Sequence, residues 1–168
     1  MPAKTHRLYR KTRVPAPLDE VFGFFSRAEN LDRITPPWLH FRILSTTPLS
    51  LSLGTHIDLA LKLHRFPVHW KTEITGWDPP HSFEDTQIRG PYRQWVHFHH
   101  FSSEEDGTLM EDAVVYRSPG GVFEPLVDFW FVRRRLESIF DYREKQLQAI
   151  FQEAKPLDRA NEHTPTSG

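Results

Sequence analysis

The chain has no cysteine, which excludes disulfides, a thiolate nucleophile and thiolate-ligated zinc. It also lacks any apolar run close to the roughly 20 residues that a membrane-crossing helix needs, so membrane insertion is not expected. Met1-Pro2-Ala3-Lys4-Thr5-His6 contains no apolar stretch of the kind a secretory signal carries, and a cytoplasmic location follows as the expectation. Charge of one sign is missing too. The 21 basic and 22 acidic residues leave a formal net charge of -1, without the basic footprint of a nucleic-acid binder. There is no phosphate-cradling glycine loop, nucleophile elbow or dinucleotide fingerprint. What remains is 168 residues, 38% hydrophobic and 26% charged, the profile of one globular domain. That domain is expected over residues 1–155. The polar, proline-containing stretch 156–168 is expected to be a disordered tail.

The order of elements is the main positive signal. His6 to Val14 reads as a strand stopped by Pro15 and Pro17. Leu18 to Ala28 reads as a short amphipathic helix, with Asp19 and Glu20 in the first turn, where the helix dipole favours them. A second short helix is expected over Asn30 to Ile34, ended by Pro36-Pro37. Six further strands are expected at 41–47, 54–63, 66–77, 82–88, 92–102 and 108–117, separated by turn signals such as Pro79-Pro80, Gly90-Pro91 and Asp106-Gly107. The last element is a long helix from about Val122 to Ala154. Its stripe at spacings of three and four runs through Leu126, Phe129, Trp130, Arg133, Leu136, Phe140, Arg143, Leu147 and Phe151. Strands joined by short turns pair antiparallel. Seven of them under one helix pack most economically as a strongly bent sheet that grips it.

This order, together with Pro15-Ala16-Pro17-Leu18-Asp19-Glu20-Val21-Phe22 and Gly90-Pro91-Tyr92-Arg93-Gln94-Trp95-Val96-His97-Phe98-His99, resembles the START-like, or SRPBCC, superfamily. Within it the chain is similar to bacterial ligand-binding proteins of the polyketide cyclase/dehydrase-like kind, over about residues 6–152. The resemblance implies an α+β helix-grip fold. A curved seven-stranded antiparallel sheet would wrap around a long C-terminal helix, with two short helices between strands 1 and 2 and a cavity between sheet and helix. It implies no catalytic motif that carries over residue by residue, because fold alone does not choose among carriers, receptors and cyclases.

The residues themselves offer three constellations. On strand 92–102, Trp95, His97, His99 and Phe101 share one face and Val96, Phe98 and His100 the other, and either face can be the inner one. His97 and His99 at i, i+2 suit polar contacts in a cavity, acid–base work, or a metal with His69 or Glu111 as further ligands. No catalytic residue, metal site or cofactor is assigned. A second set is acidic, comprising Glu73, Glu84, Asp85, Glu111 and Asp112, and one of these is expected to pair with Arg143. A third is aromatic. The candidate cavity residues are Trp38, Trp70, Trp95, His97, His99, Glu111, Phe129, Arg133, Phe140 and Arg143.

Three functions fit. The favoured one is binding, transport or sensing of a small apolar, aromatic or lipid-like molecule. The alternatives are a cyclase or dehydratase acting by acid–base catalysis on a polyketide-like carbonyl substrate, and a regulatory or interaction domain with a closed cavity. The partner expected is the small molecule, with the chain a monomer or homodimer and no nucleic acid involved.

Overall fold

Residue alternation in the strands separates an inner from an outer face, and pairing turns that alternation into one wall. In the computed structural model, which describes residues 4–153, seven strands form one sheet. They are β1 (His6–Val14), β2 (Arg42–Ile43), β3 (His56–Leu63), β4 (Phe66–Asp78), β5 (Ser82–Arg89), β6 (Gln94–Glu104) and β7 (Gly107–Arg117). The order across the sheet is β1-β7-β6-β5-β4-β3-β2, and every neighbouring pair is antiparallel. Neighbours in the chain are neighbours in space except for β1, which closes against β7 with His6 opposite Tyr116 and Val14 opposite Thr108. The tail expected over 156–168 lies outside the described residues.

The β6–β7 turn shows how tightly the wall is drawn. Gly107 sits opposite Glu104 with φ +150°, and a Cβ there would lie 2.2 Å from the Val14 carbonyl oxygen, so no side chain is tolerated. Helix α1 (Leu18–Phe25) is shorter than expected. It stops at Ser26, whose backbone N–H and hydroxyl both donate to the Phe22 carbonyl (2.9 and 2.8 Å). Two 3₁₀ segments follow, Ala28–Ile34 and Pro37–Leu39. Strand β2 is two residues long rather than the expected seven. The Asp58 carbonyl accepts from both Leu44 N–H (2.7 Å) and Ser45 N–H (3.3 Å), while the Ser45 hydroxyl accepts from Asp58 N–H (2.8 Å). A side chain thus replaces the next rung of the ladder.

After β7 the chain makes a 3₁₀ turn at Gly121–Phe123, helix α2 (Glu124–Val127), a π turn at Asp128–Val132 and helix α3 (Arg133–Glu153). Helix α3 buries Leu136, Phe140, Leu147 and Phe151 against the sheet. Upstream, the expected stripe fails: Leu126, Phe129 and Trp130 are each more than half exposed. The residues buried there are acidic. Glu124 and Asp128 meet His6 on β1 (Oε1–Nε2 2.6 Å and Oδ2–Nδ1 3.1 Å), and Ser118 Oγ donates to Asp128 Oδ1 (2.8 Å). These contacts fix the face that α2 turns inward, and the wider π turn changes the helical phase before α3.

The core forms two clusters. One packs Val21, Phe22 and Phe25 of α1 with Phe101, Met110, Leu147 and Phe151; the other joins Trp95, Val114, Tyr116, Leu136 and Phe140. Burial separates the two halves of the C-terminal stripe energetically. Leu147→Ala should lower unfolding free energy by about 2–5 kcal/mol, and Leu126→Ala should change it by about 0.5 kcal/mol or less. Denaturant titration of the two variants checks this.

Candidate functional site

Strand β6 runs between the two clusters, and its odd-numbered residues face inward. Trp95, His97, His99 and Phe101 are buried, whereas Phe98 and His100 are exposed. Pairing with β7 sets His99 opposite Asp112, and pairing with β5 sets His97 opposite Asp85. Two imidazoles and two carboxylates therefore meet in the wall. His97 Nε2 is 2.9 Å from Asp112 Oδ1, and His99 Nε2 is 3.1 Å from Asp85 Oδ2. The other nitrogens cross over. His97 Nδ1 is 3.7 Å from Asp85 Oδ2, while His99 Nδ1 lies 2.9 Å from Asp112 Oδ1, off the line of a hydrogen bond. The two imidazole centroids are 3.7 Å apart, and Phe83 stacks on His99 at 4.0 Å. Thr72 Oγ1 donates to Asp85 Oδ1 (3.1 Å) and to the Thr86 carbonyl (3.0 Å).

The four groups shift one another's protonation. Burial works against an ionised Asp112, but the hydrogen bond from His97 and the close contact with His99 outweigh it and hold the carboxyl well below the usual range. Asp85 is lowered in the same way, with burial opposed by its bond to His99 and the nearby His97. Burial pushes His97 down, with the charge of His99 adding to it. His99 is raised, because its contacts with Asp112 and Asp85 together exceed the cost of burial.

Asp85, His97 and His99 line a cavity of about 170 Å³ between the sheet and α3. Most of its wall is apolar, from Leu51, Ile57 and Leu59 on one side to Leu136, Ile139 and Phe140 on the other. Of the residues singled out from the sequence, Trp70, Trp95, His97, His99, Phe140 and Arg143 line it. The others lie elsewhere. Trp38 is partly exposed and packs edge-on against Tyr142 (5.5 Å). Glu111 sits on the outer face, bonded to Tyr9 and to Lys11 (2.8 Å). Phe129 is exposed, and Arg133 is an exposed partner of Glu137 (3.4 Å). His69, weighed as a metal ligand, is also exposed and faces Asp58 (3.2 Å).

The carboxylate expected for Arg143 does not reach it. Asp85 and Asp112 are taken by the histidines, Glu73 faces His56 (3.3 Å) and Glu84 bonds Thr75 (2.6 Å). Arg143 instead lies over the Phe140 ring (5.1 Å), with a buried Nε that has no hydrogen-bond partner among the described residues. Thr72 and Tyr92 also line the cavity and were missed. The alternation Trp70, Thr72, Ile74 on β4 was the signal for the first; Tyr92 precedes β6 and carried none.

A family model described as polyketide cyclase / dehydrase and lipid transport matches residues 14–141. The chain belongs to this family. Its sheet and C-terminal helix are those of the helix-grip fold, as solved structures also show. Protein Ms6760 from Mycobacterium smegmatis superposes with a TM-score of 0.66 at 16% identity, covering 89% of this chain and 92% of that one. The major latex-like protein 151 from Panax ginseng gives 0.64 at 13% identity, over 88% and 97%. A Thalictrum norcoclaurine synthase point mutant, solved with a transition-state analogue, gives 0.63 at 16% identity, over 89% and 98%. No curated protein sequence matches the chain. Identities this low establish the fold and leave function to the site. No helix among the described residues is long and apolar enough to cross a membrane.

The depressed Asp112 carboxyl carries a pH signature. A carboxyl whose folded value lies below its unfolded one adds stability above the ordinary carboxylate range, and that stability is lost progressively as pH falls from that range toward the lowered folded value. Asp112→Asn should cost about 3 kcal/mol at pH 7. It should also lose less further stability than the parent chain between about pH 5 and pH 3. Chemical denaturation across that range reads both effects.

Proposed function

We propose that the protein binds a small, mostly apolar molecule in the cavity between the sheet and α3, with a polar or anionic end of the ligand at Arg143 and the β6 histidines. The observation that carries this reading is the buried Nε of the half-buried Arg143, which has no hydrogen-bond partner among the described residues and stands in a mostly apolar cavity wall. A buried N–H without a partner is costly, and a carboxylate or carbonyl oxygen on the ligand would relieve that cost. Volume limits the ligand. An apolar cavity of ~150 Å³ takes up one benzene ring. The 170 Å³ here therefore suits a molecule of one or two rings better than a long acyl chain. Trp70 and Trp95, edge-to-face at 5.2 Å, offer a flat aromatic ligand a matching wall.

A second reading, a cyclase or dehydratase acting on a polyketide-like carbonyl compound, draws on the imidazole–carboxylate contacts in the same wall. Those are the groups that move protons at carbonyl carbons. His97→Ala separates the two, since loss of turnover with binding kept would favour the enzyme.

Calorimetric titration with 1-naphthoate and uncharged 1-naphthol tests the binding reading. Both should bind at one equivalent. Arg143→Gln should weaken the carboxylate by about tenfold and leave the alcohol nearly unchanged. Absence of stoichiometric binding by either probe, together with a bare protein mass in native mass spectrometry of fresh material, would overturn it.

A further inference from the structure

The geometry points to Asp85, His97 and His99 as a binding site for one divalent transition-metal ion. Nothing in the family description assigns such a site, and binding of an organic ligand is not needed for it.

Three residues converge, Asp85, His97 and His99, each offering one donor atom within 4.8 Å of the other two. Asp85 Oδ2 is 3.7 Å from His97 Nδ1 and 3.1 Å from His99 Nε2. Ligand bonds of about 2.0–2.2 Å in a tetrahedral arrangement put donors about 3.4 Å apart, between those two distances.

The rest of the wall supports the same assignment. Asp112 is buried on the far side of both rings, with Oδ1 2.9 Å from His97 Nε2 and 2.9 Å from His99 Nδ1. An ionised carboxylate only accepts, so His97 Nε2 carries the proton and its Nδ1 presents a lone pair toward Asp85. A carboxylate behind a ligating imidazole is how metal-binding histidines are usually oriented. Thr72 holds the other oxygen of Asp85, leaving Oδ2 toward the rings. His99 Nε2 bonds Asp85 before loading, so its proton leaves to solvent as the ion enters.

Charge favours a cation too. Two carboxylates face two close-packed imidazoles in a buried wall, and no ion pair to lysine or arginine reaches Asp85 or Asp112 among the described residues. Imidazole nitrogen with carboxylate oxygen suits zinc, cobalt or iron rather than calcium or magnesium. The side of Asp85 that reaches the cavity leaves a fourth position for water or a ligand oxygen.

The test uses the full chain after dialysis against a chelator. Cobalt(II) titration followed by visible absorption should saturate at one equivalent, and zinc should raise the thermal midpoint. Asp85→Asn and His97→Ala should abolish the saturable absorption, Asp112→Asn should weaken binding by about 10–100-fold, and His69→Ala should leave it intact. Asp85→Asn keeps the volume of the site, so it reports even if His97→Ala fails to fold. No saturation at one equivalent, or wild-type affinity in Asp85→Asn, would overturn the assignment. Naphthol binding by the chelated protein is a separate readout, so this site and the organic ligand can fail independently.

Discussion

Asp112 bears on more of this structure than any other side chain. It is almost fully buried in the strand that joins β6 to β1, and it holds both β6 histidines at hydrogen-bonding distance. A carboxylate there would be prohibitive without those rings, and the rings would be costly in an apolar wall without the carboxylate. Each group is thus tolerated because of the others. The consequence reaches the two core clusters, which meet at this polar band. Trp95 continues β6 into one cluster and Phe101 into the other, and the cavity opens where the band leaves space.

Much of this fold was legible in the sequence because its signals are local. Alternation and turn residues located six of the seven strands within a few residues. The short β2 was overestimated because the Ser45 side chain, which resembles any strand residue in sequence, completes the Asp58 bonds itself. The inward face of β6 was not legible. Val96 and Phe98 balance Trp95 and Phe101, so hydrophobicity gives no sign, and the choice rests on Asp112 and Val114 across the ladder. The C-terminal helix misled for a related reason. Apolar residues at 126, 129 and 130 keep the right spacing, but His6 pulls Glu124 and Asp128 inward from more than 100 positions away.

The polar site was half legible. His97 and His99 stood out by their spacing, whereas His69 and Glu111 were expected beside them and their actual partners, Asp85 and Asp112, stood among five carboxylates expected to supply one for Arg143. Which of the five face inward depends on strand pairing, and pairing assigned Asp85 and Asp112 to the histidines rather than to Arg143. The arginine left over in a mostly apolar wall then became informative, because its Nε, unmet among the described residues, is a property of the assembled cavity and of no single segment.

The closure of β1 on β7 also bears on synthesis. The first strand leaves the ribosome well before its sheet partner exists, since His6 must wait for Tyr116. During that interval it is an unpaired strand in a crowded cell. Arg7, Arg10, Lys11 and Arg13 make it strongly basic, which discourages pairing with another nascent copy of itself. Once β7 emerges, Lys11 meets Glu111 and Arg13 meets Glu104, so the charges that guarded the waiting strand also help to dock it.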